Sequence, residues 1–284
     1  MTGKIDTRAM GLDAGLAFIR WLTGAENLHY GLWTGLDVTA ANLGRAQAAY
    51  TDLLFSHLPE GRLRILDIGG GAGETAAKLI ARGHEVEIVV PSAFPASRCR
   101  ANAPAAKVHE MPFQDFASAP RFDLCLFSES FQYIPCALAL DKAAGLLVPG
   151  GEILIADCFR SDSFQRGGRI RTAGGGHRLA LMREEMAARG LVPLAEEDVT
   201  EAVAPSIDLE QALFNVSGHA ITRIDAELAA KRPRGRWLMR RALAVVLGAR
   251  RRERLAARLI GRERSAKAFC RDNRYMIFRL RPGG

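Results

Sequence analysis

Asp67, Gly69, Gly71 and Gly73 alternate through "LDIGGGAGET" (66–75), and Gly70 makes four glycines in five residues. Glycine loses more conformational freedom on folding than any other residue, so this density is expected where bare main chain must meet a ligand. A second carboxylate, Glu129 in "SESFQYIP" (128–135), stands between Ser128 and Tyr133. A carboxylate can take a proton from a reacting group or stabilise developing positive charge, and a tyrosine hydroxyl can orient either partner. A structural glutamate held by main-chain donors is the other reading. His177, in "GGGHRLALMREEM" (174–186), is a second candidate base, with a helix cap or surface residue as its alternative.

Elements must carry these residues. Apolar runs predict strands at 64–68, 85–90, 124–128, 151–157, 191–198 and 274–280, with helices near 73–82, 138–147 and 178–189 between them. Strand and helix in alternation imply an α/β fold with a mainly parallel sheet covered on both faces, and ligands bind such sheets at the carboxyl ends of the strands. Residues 1–60 read as a helical N-terminal cap closed by Pro59, and 61–204 as the core. Residues 205–266 read as a helical insertion, and 267–284 as the last strand of the core.

The net charge of +8 is local. Residues 231–264 carry 13 Lys and Arg against two Glu, leaving the remainder slightly acidic. Five scattered cysteines without CxxC spacing suggest neither a disulfide framework nor a zinc site, and a reducing cytoplasm is expected. The charged N-terminus argues against a signal peptide, and no apolar run nears the roughly 20 residues of a membrane span.

Two cofactor classes compete for the glycine turn. A dinucleotide fingerprint, G-x-G-x-x-G/A, is met partially by Gly71, Gly73 and Ala76. The turn fully resembles the E/D-x-G-x-G-x-G loop of class I S-adenosylmethionine-dependent methyltransferases. Two further stretches in the proper order, "FDLCLFSESFQYIP" (122–135) and "LLVPGGEILIADCFR" (146–160), are similar to the fourth-strand and fifth-strand motifs of that family. The pattern is nearest the tocopherol, cyclopropane-fatty-acid and small-molecule groups. The resemblance implies a Rossmann-like sheet of seven strands, S-adenosylmethionine as cofactor and S-adenosylhomocysteine as product, with no metal.

It also implies site residues: "SESFQYIP" resembles the E-S-x-x-x-x-P stretch of tocopherol-type enzymes, which would set Glu129 beside the transferred methyl with Tyr133 orienting either partner. Asp67 would hold the amino group of the methionine moiety, and Gly69, Gly70, Gly71 and Gly73 would let the cofactor lie on the backbone. Asp115 would face the adenine amine and Phe116 its ring, while Ser128 joins the set at the end of the fourth strand. Relatives close the second strand with an acid that binds the ribose; here Val90 stands there, and Ser92 is the substitute. "ENLHYGLW" (26–33) is similar to a segment that folds over the cofactor in small-molecule relatives, which makes His29, Tyr30 and Trp33 lid candidates. Stapling of the cap to the core is the alternative.

The acceptor class stays open between a small hydrophobic molecule (isoprenoid, quinone, lipid or polyketide-like) and RNA, beside a catalytically inactive partner subunit. Against RNA, the fourth-strand motif lacks the N/D-P-P-Y/F form, and the basic segment offers only Trp237 for base stacking. That segment combines apolar residues 242–249 with flanking arginines, which suits peripheral contact with an anionic membrane; a helix packed on the core is the alternative.

Overall fold

The computed structural model describes residues 7–165, 173–261 and 264–283. Helices α1 (Thr7–Thr23) and α2 (Leu43–Ser56) precede the sheet. Then come β1 (Arg64–Ile68), α3 (Glu74–Ala81), β2 (Glu85–Val90), α4 (Ala93–Asn102), β3 (Lys107–Glu110), β4 (Phe122–Ser128) and α5 (Cys136–Leu146). The second half holds β5 (Leu147–Arg160), α6 (Leu179–Ala188), β6 (Leu191–Asp198), α7 (Thr200–Val203), α8 (Pro205–Lys231), α9 (Pro233–Ile260), α10 (Ala266–Asp272) and β7 (Asn273–Pro282).

Among the described residues seven strands form one sheet in the order β3-β2-β1-β4-β5-β7-β6, parallel except for β7, which pairs antiparallel with both β5 and β6. Central strands are buried on both faces, so their sequences read as continuous apolar runs rather than alternating ones. Successive residues still divide between the faces. Ile65, Ile88, Leu124, Leu154 and Ile277 pack with Tyr50, Leu54, Ala76, Leu79 and Cys99 of α2, α3 and α4. Leu66, Val89, Cys125, Ile153 and Phe278 pack with Leu140, Ala143, Met182 and Met186 of α5 and α6.

Six strands lie where their apolar runs predict them, within four residues at either end. Sequence reasoning named no strand at β3 and no helix at α4. β3 is a four-residue edge strand with charged ends and no buried residue, too short and polar for periodicity to mark. α4 carries Pro95, which reads as a breaker, but a proline in a first turn removes only an N–H that has no helical partner. The order 3-2-1-4 reverses between β1 and β4, so the loops after these two strands open a crevice at their carboxyl ends, the usual ligand position in such sheets.

Candidate functional site

The loop after β1 turns through left-handed glycines, Gly69 (φ 77°), Gly71 (φ 56°) and Gly73 (φ 89°). Two of them are also needed for space. A Cβ on Gly69 would lie 2.4 Å from Ser130 Cβ, and one on Gly73 would lie 2.9 Å from Cys99 Cα on α4. Gly71 differs: a Cβ there would meet no atom of the described residues within 4 Å. Its backbone faces open space, a cradle for a ligand that a side chain would fill. Beneath Gly70 lies Asp67, 1% exposed, with Oδ2 lacking a hydrogen-bond partner among the described residues. Burial pushes its pKa up to about 7, and a cationic group close by would restore its ionised form.

The loop after β4 supplies the second half. Glu129 is the only non-glycine residue with a positive φ (56°) among the described residues, a conformation costing about 1 kcal/mol for an L-residue. Such strain persists only where neighbours over-determine it. Here they do: the Glu129 N–H donates to Ala156 (2.8 Å), and Oε1 accepts from the Tyr30 N–H (2.9 Å) and the Tyr275 hydroxyl (3.0 Å). The Tyr275 hydroxyl also lies 2.7 Å from that of Tyr50, which is 3.3 Å from Ser128 Oγ. Three of the chain's four tyrosines thus enclose one carboxyl, with the rings of Tyr30 and Tyr50 edge-on to Tyr275.

Burial pushes the Glu129 pKa up to about 8, and nearby Asp157 adds to the rise while the donors of Tyr30 and Tyr275 oppose it. Asp157 is itself fully buried and raised to about 7 by burial, although it accepts bonds from Gln132 N (3.0 Å), Gln132 Nε2 (3.0 Å) and Cys158 N (2.7 Å). With Oε1 of Glu129 saturated by two donors, its other oxygen is the one left to give or take a proton.

The N-terminal segment is pinned over this crevice. Glu26 receives Arg98 Nε (2.8 Å) and Asn102 Nδ2 (2.9 Å) from α4, and its N–H donates to Glu74 (2.9 Å) at the start of α3. His29 stacks on Tyr50 and bonds the Tyr30 carbonyl through Nδ1 (2.8 Å). A carbonyl can only accept, so Nδ1 carries the hydrogen. Burial holds the His29 pKa down at about 4, so the ring is neutral and Nε2, buried without a partner among the described residues, is an acceptor.

Tyr30, Ser128 and Glu129 therefore meet, and Ser130, next in the chain, touches Gly69. The other candidates lie outside this cluster. Trp33 is buried with its indole donating to Ser206 (2.8 Å) at the start of α8. His177 donates through Nε2 to the Ile134 carbonyl (2.8 Å) and packs edge-on against Phe131. Phe116 is buried between His109 and Phe122. Asp115 and Tyr133 are exposed. Ser92 is half-buried and precedes α4, its carbonyl accepting the Ala96 N–H.

Sequence reasoning missed Tyr50, Gln132, Asp157 and Tyr275. Asp157 had a signal: a lone acid ending the apolar run "ILIAD". The tyrosines had none.

Residues 66–155 match the family described as "Methyltransferase domain". Among solved structures the whole chain is similar to the [4+2]-cyclase SpnF, at 19% identity and TM-score 0.64 over 98% of this chain and 96% of that one. It is similar to geranyl diphosphate C-methyltransferase from Streptomyces coelicolor A3(2), in complex with Mg2+, geranyl diphosphate and S-adenosyl-L-homocysteine. That match has 15% identity and TM-score 0.62 over 99% of this chain and 100% of that one. The cyclopropane synthase MmaA2 from Mycobacterium tuberculosis matches at 18% identity and TM-score 0.65 over 95% of each chain. At such identities the likeness establishes the fold, and a fold serves several chemistries. Residues 66–155 are a methyltransferase domain, whose cofactor is S-adenosylmethionine, and the chain around them has the Rossmann-like class I methyltransferase fold.

Proposed function

We propose that this protein methylates a small hydrophobic acceptor of isoprenoid, quinone, lipid or polyketide-like type, with Glu129 as the group that handles the acceptor's proton or charge. The observation that carries the reading is the Glu129 carboxyl, strained in backbone and enclosed by Tyr30, Tyr50 and Tyr275 one residue from the glycine loop. S-adenosylmethionine, when bound, supplies an electrophilic methyl group on sulfur. Asp67, with its unpartnered buried oxygen, suits the amino group of that cofactor, and the open face of Gly71 leaves room for it.

The chain's own contribution is positioning and electrostatics. Tyr275 and the Tyr30 N–H fix the carboxyl, so no reorganisation is needed as charge develops. The cap, tied down through Glu26, limits water around the carboxyl. With its pKa at about 8 the free Glu129 carboxyl is mostly protonated at pH 7, and a cation beside it, by lowering that value, would turn it into a proton acceptor matched to neutral pH. The chain's likeness to a geranyl diphosphate C-methyltransferase and to a cyclopropane synthase favours an apolar acceptor.

The test is incubation with methyl-labelled S-adenosylmethionine and fractionated cell extract. Label in the organic phase supports the reading, and label in RNA overturns it. Glu129→Gln should keep affinity for S-adenosylhomocysteine and lose roughly 10²-fold in turnover. A variant with undiminished turnover reduces Glu129 to a structural residue. The ascending limb of the pH–rate profile should lie at or below pH 8 in the native protein and vanish in the variant.

A further inference from the structure

Helix α9 is joined to the molecule unlike any other long helix: none of its 28 residues is buried. Gly248, left-handed at φ 63°, divides it into stretches 233–247 and 249–260. In the first stretch the half-buried positions are Arg236, Ala244 and Leu247, which share one helical face. That face lies on α8, where Arg236 donates to both carboxylate oxygens of Asp225 at 2.8 and 2.7 Å. The opposite face carries Leu238, Ala242, Val245 and Val246, at spacings of three and four. Leu238 is 62%, Val245 86% and Val246 72% exposed.

A surface helix of a globular protein does the reverse, turning its apolar stripe inward and its charges to water. Here an arginine seeks the neighbouring helix and the valines face out. Exposed Arg241 borders the stripe, its guanidinium over the exposed Trp237 ring, 4.8 Å from its centroid; Arg240 stands one turn from Arg236 on the side toward Asp225, and exposed Arg250, Arg251 and Arg252 follow beyond Gly248.

Charge decides what covers such a face. α9 holds nine arginines and one glutamate, so a second copy of the chain would set cations against cations. A nucleic acid would satisfy the arginines but leave the valines in water. An anionic bilayer takes both, the apolar stripe entering the boundary between headgroups and acyl chains while the guanidiniums meet phosphates. Among the described residues no helix is long and apolar enough to cross a membrane, so the contact would lie along the surface.

We propose that the outward face of α9, Leu238, Ala242, Val245 and Val246 with the exposed arginines of the helix, docks the protein on anionic membrane surfaces. This does not depend on the methyl-transfer reading. The base of the hairpin is tied to the cap, since Ser206 at the start of α8 receives the Gly31 N–H (3.0 Å) and the Trp33 indole. Docking therefore fixes the crevice relative to the membrane.

The experiment is cosedimentation of the full chain with vesicles of phosphatidylcholine alone and with phosphatidylglycerol added. Binding is expected only to the anionic vesicles and should weaken as salt shortens the Debye length below about 10 Å. The triple variant Leu238→Asn, Val245→Asn, Val246→Asn should keep the thermal midpoint and bind at least roughly tenfold more weakly. As a second measurement, Val245→Cys carrying an environment-sensitive dye should shift to the blue with anionic vesicles alone; four of the five native cysteines are buried. Absence of vesicle binding at low salt overturns the proposal. So does a triple variant that binds as tightly as the native chain, or a dimer in light scattering that the variant dissociates. RNA binding without vesicle binding overturns it as well.

Discussion

The carboxyl of Glu129 and the valines of α9 are both groups in the wrong medium, and the protein treats them differently. Glu129 is an acid in an apolar surrounding, yet two donors meet one of its oxygens and neighbours on β5, β7 and the cap fix its strained backbone. Val245 and Val246 are apolar groups in water, left largely uncovered by the described residues. A misplaced group surrounded by compensating contacts reads as one held ready for chemistry, whereas one without any reads as a surface awaiting its partner. The contrast also predicts where stability resides: substitutions at the crevice are felt by the whole fold, and substitutions on the outer face of α9 are not.

The largest effect is expected at Gly69. Valine there meets Ser130 at 2.4 Å on a left-handed backbone (φ 77°), and a loss of about 3 kcal/mol or more should appear as aggregation or a collapsed unfolding midpoint. Gly71→Ala is the sharper variant, because only the left-handed backbone opposes it, at about 1 kcal/mol. It should fold, and calorimetry should show no binding of S-adenosylhomocysteine. Binding at native strength would mean that the open space above Gly71 is not the cofactor's.

Next comes the pH dependence of Glu129→Gln, read as urea midpoints. The carboxyl has a folded pKa of about 8 against 4.5 in the unfolded chain, so the folded state binds the extra proton between those values. Native stability contributed by this group is therefore complete below pH 4.5 and lost as pH rises through 8. The glutamine variant should gain on the native chain across that window, by on the order of 2 kcal/mol, and keep pace above it. A flat difference would mean that the site does not hold the proton.

A smaller effect follows at Tyr275. Phenylalanine there removes one donor from Glu129 and the partner of Tyr50, costing about 1 kcal/mol in thermal unfolding. Because the ionised carboxylate loses a bond, the ascending limb of the pH–rate profile should move upward. The smallest effect belongs to Val245→Asn with Val246→Asn, which should stay within about 0.5 kcal/mol of the native chain. A clear loss of stability there would show that the face is covered by the protein itself and would break the contrast.

What the sequence determined by itself is local. Left-handed turns demand glycine, so the "GGGAG" loop and its position between a strand and a helix were legible, as were strands buried on both faces. Glu129 could be singled out because the stretch "SESFQYIP" at the strand end resembles one in tocopherol-type methyltransferases. Its enclosure could not: Tyr50 and Tyr275 stand 225 positions apart, and only the antiparallel insertion of β7 between β5 and β6 brings the second hydroxyl to the first. Asp115, Phe116 and Trp33 were named from residue type and motif, and only packing decided that the first faces solvent, the second the core and the third Ser206. For α9 the sequence fixes which residues share a face, because helical spacing is a property of the backbone alone. Which face meets α8 was decided by tertiary structure, through a contact between Arg236 and Asp225 that no periodicity in either helix records.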